Sequence, residues 1–96
     1  MSSPEISDFL IDEDNEEKFA AHGISALQVL QILENSHLVV PNRRGRRGIF
    51  LVVGRDNSGS CVAVPVEPTH IVNLWRPITA WPCKASELAQ LTRRSI

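Results

Sequence analysis

Residues 49–67 constrain this chain more than any other part of it. Ile49 to Arg55 and Cys61 to Glu67 are two runs rich in branched apolar residues, and Asp56-Asn57-Ser58-Gly59 between them is a turn by residue type and by length. The pattern predicts a β-hairpin. With a four-residue turn Arg55 pairs with Ser60, so Val53 faces Val62, Leu51 faces Val64 and Ile49 faces Val66. That side is uniformly apolar and must take helices. The other side holds Phe50, Val52, Gly54, Cys61, Ala63, Pro65 and Glu67 and is expected to stay open.

The rest of the chain arranges itself around the hairpin. Ile6 to Ile11 reads as a short first strand, and the first four residues are expected to be loose. Asp14 with Glu17 is a capping-box pattern for a helix over about 15–21, which Gly23 ends. Ser25 with Gln28 opens a second helix, with Leu27, Val29, Leu30, Ile32 and Leu33 as its apolar residues, fading at Glu34-Asn35. Leu38 to Val40 is a strand broken by Pro41-Asn42. A strand over 72–82 follows the hairpin, and a helix from Ser86 to about Arg94 closes the chain. Strand, two helices, four strands and a helix predict an α+β domain spanning 1–96. Its expected form is an antiparallel sheet of four to five strands with helices on one face.

Ninety-six residues suffice for one modest core, and 43% apolar with 22% charged residues is the balance of a soluble globular protein. No apolar run approaches membrane-spanning length, and the acidic start is unlike a basic leader, so a cytoplasmic protein is expected. Cys61 and Cys83 have neither CxxC nor Cys/His ligand spacing; they read as free thiols, with no metal and no cofactor expected. The net charge of −1 conceals a split. Residues 1–35 carry eight acids against Lys18, a net −7, and residues 36–96 carry nine bases against three acids, a net +6. Either the basic part meets a polyanion, or the two parts neutralise each other across the fold.

Four of those bases stand in five positions, at Arg43, Arg44, Arg46 and Arg47, with Gly45 and Gly48 letting the backbone approach a ligand. The tract suits RNA phosphates or a partner's acids; its plainer reading is a solvated turn. Both tryptophans lie in Asn73-Leu74-Trp75-Arg76-Pro77-Ile78-Thr79-Ala80-Trp81-Pro82. Alternation puts Leu74, Arg76, Ile78 and Ala80 on one side and Trp75, Thr79 and Trp81 on the other. Pro77 requires an edge or a bulge. Trp75 and Trp81 could stack bases, seat a protein segment, or simply fill a core. Glu67 is a carboxylate expected on the open side, near Arg55 or the tryptophans, and is a candidate base; His70 is a candidate acid in a loop.

Taken together, Glu16-Glu17-Lys18-Phe19-Ala20-Ala21-His22-Gly23-Ile24-Ser25 resembles the opening of the BrnT-type toxins, where a short helix ends in a Lys-His-Gly signature. The resemblance continues through the hairpin and last strand, over about 9–91. It implies a RelE-like fold and metal-independent ribonuclease activity. It also implies a cognate antitoxin, usually a ribbon-helix-helix DNA-binding protein, and hence a toxin–antitoxin heterocomplex or a dimer. By position it favours His22 as a catalytic or orienting residue and Arg76 as the cation that stabilises the phosphorane. Cleavage without metal needs a base, an acid and cations around phosphorus. The expected set is therefore Arg76, Glu67 and His22 for chemistry, with Arg43, Arg44, Arg46, Arg47, Arg55, Trp75 and Trp81 for RNA. Ala21 replaces the signature lysine, and Thr79-Ala80-Trp81 replaces the arginine that commonly ends the last strand. These departures favour the alternative, a non-catalytic member that binds RNA or a protein partner. Arg76 is either re-aimed by a bulge at Pro77 or paired with an acid from the N-terminal part.

Overall fold

The central hairpin forms where its alternation predicts, one residue out of the expected register. The computed structural model describes residues 4–42 and 48–94, so the expectation for 1–4 falls almost wholly outside it. In chain order the elements are β1 (Asp8–Phe9), α1 (Glu13–Ala21), α2 (Ala26–Glu34), β2 (His37–Pro41), β3 (Phe50–Arg55), β4 (Cys61–Pro68), β5 (Leu74–Pro77), β6 (Trp81–Pro82) and α3 (Ala85–Arg94). This is the predicted order, with the last strand cut in two.

Across the hairpin Arg55 stands opposite Cys61, Val53 opposite Ala63 and Val52 opposite Val64. Asp56 causes the shift. Its Oδ1 accepts from the Ser58 hydroxyl at 2.7 Å and from the Ser58 and Ser60 amides at 2.9 Å each. Its Oδ2 accepts from Gln28 Nε2 at 2.9 Å. These bonds draw Ser60 into the turn opposite Asp56, whose own amide donates to Ser60 O at 2.9 Å. The loop proper is then Asn57 to Gly59, and Gly59 takes φ +90°, the left-handed position that ends such three-residue loops.

A shift of one residue turns a strand over. Phe50 and Val52 therefore share a face with Val62, Val64 and Val66, and pack with Phe19, Val29 and Ile32 under α1 and α2. Gly54 lies on that face directly beneath α2: a Cβ there would stand 3.0 Å from the Ile32 Cβ and 2.9 Å from the His37 Cβ. On the other face Leu51, Val53 and Ala63 pack with Leu91 of α3, flanked by Leu38, Val40 and Trp81. Helices thus cover both faces. The expectation of one covered side fails because the flipped strand offers Leu51 and Val53 to α3.

The sheet runs β1-β5-β4-β3-β2, with β6 also beside β4. It is mixed, not purely antiparallel, because β1 lies parallel to β5, Phe9 opposite Trp75. Two helices separate β1 from β2, so no hairpin ties them together. β1 instead joins the far edge, held by a buried asparagine. Asn15, wholly inaccessible to solvent, donates from Nδ2 to Leu10 O at 2.8 Å and to Pro77 O at 3.1 Å. It also completes the capping box of α1 with Asp12, two residues before the expected Asp14. The box of Ser25 and Gln28 opens α2 as predicted.

The Asp56 carboxyl is held down at about 2 against an ordinary 3.8, chiefly by the Ser58 hydroxyl and then by Gln28. A depressed folded value contributes stability above 3.8 that is lost as pH falls towards about 2. Asp56→Asn should therefore be less stable than wild type at neutral pH by roughly 2 kcal/mol, and the gap should close across that acidic window in urea melts. Gly54→Ala should cost about 1–3 kcal/mol through overpacking against Ile32, read as a lower urea midpoint at unchanged slope.

Candidate functional site

The site begins with a bulge. From Pro77 opposite Val66 to Trp81 opposite Ala63, three residues of the last strand face two of β4. Pro77 has no amide to give the ladder, and Ile78 resumes it by donating to Pro65 O at 2.9 Å. The extra residue breaks the alternation. Trp75 and Trp81, expected on one side, lie on opposite faces. Trp75 packs against the α1/α2 core, edge-on to Phe50 with ring centroids 5.6 Å apart, so it is no part of a binding face with Trp81.

Trp81 stands on the α3 face, in a cleft of about 1120 Å³. Val40, Leu51 and Pro65 of the sheet line it, with Ile78, Thr79, Trp81 and Pro82 from the bulged segment. Lys84, Ser86, Glu87 and Gln90 line it from the start of α3, and His22 and Asn42 complete it. Glu87 organises this wall. Its carboxylate accepts from Trp81 Nε1 at 3.1 Å and from the Lys84 amide at 2.7 Å, the reach-back bond of a helix-start glutamate. The Lys84 ammonium sits 5.7 Å from the centre of the Trp81 ring. One indole thus has its N–H oriented by a carboxylate and its face covered by a cation.

The three residues expected to carry chemistry are not gathered here. Arg76 donates from Nε to Asp12 Oδ2 at 3.1 Å and lies 3.6 Å from Glu67 Oε1, its partner across the ladder. Its guanidinium is engaged by two carboxylates, and neither Arg76 nor Glu67 lines the cleft. Of the two alternatives for Arg76 the pairing holds: it bonds Asp12 of the N-terminal part, while the bulge lies beyond it and leaves it in regular register opposite Glu67. The Asp12 carboxyl is lowered first by the Asn15 amide, with Arg76 adding to it.

His22 does line the cleft, as the exposed residue that ends α1, its amide donating to Phe19 O at 2.9 Å. His70 is exposed in the β4–β5 connection, outside the cleft. Arg55 is also outside it; exposed, it donates to Gly59 O at 2.9 Å. Arg43, Arg44, Arg46 and Arg47 lie outside the described residues. The residues that flank the tract are well held: Asn42 Nδ2 donates to Gly48 O at 3.1 Å and the Asn42 amide to Ile49 O at 2.9 Å. Since Asn42 lines the cleft, the tract begins next to it in sequence.

The cysteines are not free. Cys61 and Cys83 form a disulfide, with Cα atoms 5.2 Å apart and the Cys83 amide donating to Cys61 O at 3.0 Å. Their separation of 22 residues carries no sign of pairing. The bulge and the short β6 ladder bring them opposite each other. Glu87, Lys84, Asn42 and Gln90 escaped sequence reasoning for a related reason, since they meet Trp81 only once α3 folds back. The spacing of Lys84 and Glu87 beside a tryptophan was the one available signal. Among the described residues no group of three or more His, Cys, Asp or Glu side chains could hold a metal ion. No helix among them is long and apolar enough to cross a membrane.

Trp81→Phe keeps the aromatic bulk and deletes the N–H that Glu87 accepts. It should lower stability by about 1–2 kcal/mol, as for a hydrogen bond to a charged group, in urea unfolding followed by circular dichroism. Glu87→Gln, which keeps an acceptor, should lose less.

No protein-family model, curated protein or solved structure matches the chain, so the cleft and its chemistry carry the functional reading.

Proposed function

We propose that the chain is an RNA-binding protein of the BrnT and RelE-like kind, acting in the cytoplasm, that holds a single strand in the α3-side cleft without cutting it. The observation that carries this reading is the Trp81 indole, half-buried in a cleft with Lys84 over its ring. An aromatic face beside a cation suits a base and its phosphate, and stacking tolerates any sequence. The arginine tract that follows Asn42 supplies the phosphate contacts. Against cleavage stands the engagement of Arg76 by Asp12 and Glu67, which leaves the strongest cation of the last strand already paired. The RelE-like assignment rests on the order of elements and the resemblance at 16–25.

One observation favours the second reading, a toxin ribonuclease silenced by a ribbon-helix-helix antitoxin. His22, Lys84 and Glu87 share the cleft, an imidazole, an ammonium and a carboxylate being the kinds of group that metal-free cleavage needs. In that case the chemistry belongs to these three and not to Arg76 and Glu67. An antitoxin segment would occupy the same cleft.

Purified protein incubated with mixed single-stranded RNA in a metal chelator should retard the RNA intact. Affinity should fall steeply with salt, and replacing the four tract arginines by alanine should flatten the log–log slope by about 0.7 per arginine. Trp81→Leu should weaken binding by about 1–3 kcal/mol. RNA fragments that vanish in His22→Ala or Glu87→Gln would establish the second reading instead. RNA that neither shifts nor breaks would exclude both.

A further inference from the structure

We propose that the Cys61–Cys83 disulfide is a redox-operated clamp that holds the first turn of α3 against the sheet, so that a dithiol reductant opens the cleft. The clamp does not depend on what the cleft binds.

The argument starts from how little else fixes α3. Of its ten residues only Leu91, 3% exposed, is buried among the described side chains, and Ala85, Ser86, Leu88, Ala89 and Gln90 are exposed. At its start it is tied through the Glu87 bonds to Trp81 and Lys84. Cys83 lies two residues before the helix and is joined covalently to Cys61 at the head of β4. A helix with one buried residue among its described side chains belongs to the less stable part of a fold. The disulfide fixes the chain two residues before the helix, beside the Cys83 amide bond to Cys61 O, and so limits how far α3 can move away.

The cleft depends on that helix. Ser86, Glu87 and Gln90 form a wall of it, and Glu87 orients Trp81. When α3 leaves, the wall and the indole's hydrogen-bond partner leave together. Both cysteines are half-buried rather than sealed, and reduction proceeds by thiol–disulfide exchange. A thiolate of the dithiol attacks one sulfur to form a mixed disulfide and releases the other cysteine as a thiol. The second thiol of the reductant then displaces the remaining sulfur. Two electrons and two protons pass to Cys61 and Cys83, and the reductant ends as its own disulfide. In a reducing compartment, where protein disulfides are usually transient, the dithiol form prevails until a small-molecule disulfide oxidant takes the two electrons and two protons back by the same exchange in reverse.

The test compares full-length protein, oxidised and after dithiothreitol, in a Trp75→Phe background so that Trp81 is the sole indole. Trypsin cleavage after Lys84 should accelerate at least about tenfold on reduction, since cleavage follows the open population, and Trp81 emission should shift to the red. Reoxidation should restore both. The double variant Cys61→Ser/Cys83→Ser should match the reduced form whether or not reductant is present. If that variant does not fold, reversible reduction of the parent protein still decides. Cleavage rates within twofold of each other in the two states would overturn the clamp, as would two titratable thiols in protein folded under oxidising conditions. Loss of RNA binding alone would bear on the function proposed for the cleft and leave these readouts untouched.

Discussion

One carboxylate sets the geometry of this protein. Asp56 takes hydrogen bonds from Ser58, Ser60 and Gln28, and so decides which residue of β4 each residue of β3 meets. Charge-assisted bonds of this kind are about twice as strong as neutral ones, and here several converge on one turn. The consequence reaches well beyond the turn. Because side chains alternate, a single residue of register determines whether Val52 or Val53 looks towards α2. With Asp56 opposite Ser60, Val52 does, and Val53 and Leu51 are left for α3. The Gln28 bond then ties the start of α2 to the same carboxylate, so register and helix placement are set together.

A second irregularity, at the other side of β4, makes the cleft. The residue inserted after Pro77 sends Trp75 into the α1/α2 core and Trp81 out under α3. The bulge also aligns β6 with the head of β4, which brings Cys83 to Cys61 and starts α3 over the sheet. Arg76, just before the bulge, serves the fold instead. It bridges Asp12, which caps α1, and Glu67 on β4, so its charge is neutralised where the first helix meets the sheet. Partly exposed pairs of this sort contribute modestly to stability. Their larger effect is to leave Arg76 no free charge for a ligand.

What could be read beforehand follows the range of the forces concerned. Capping of α2 by Ser25 and Gln28, the end of α1 at His22-Gly23 and the hairpin itself are local, and all were legible. Arg76 is singled out by its position in the family resemblance and Glu67 as the carboxylate within the sheet, and the ladder that makes them partners is not visible in the sequence. The two tryptophans looked coplanar because alternation assumes an unbroken strand. For Glu87 the spacing from Trp81 and Lys84 is a weak local sign, and only the fold-back of α3 makes its carboxylate the partner of an indole six residues earlier.

By itself the sequence determined the α+β class, the order of the elements and the presence of a hairpin, because residue pattern and turn chemistry act within a few positions of the chain. Tertiary structure alone decided the register, the mixed sheet, the covering of both faces, the disulfide and the makeup of the cleft. Each of these depends on a contact between residues far apart, made by a carboxylate, a bulge or a helix folding back, and one residue of difference in such a contact exchanges the inside of a strand for its outside.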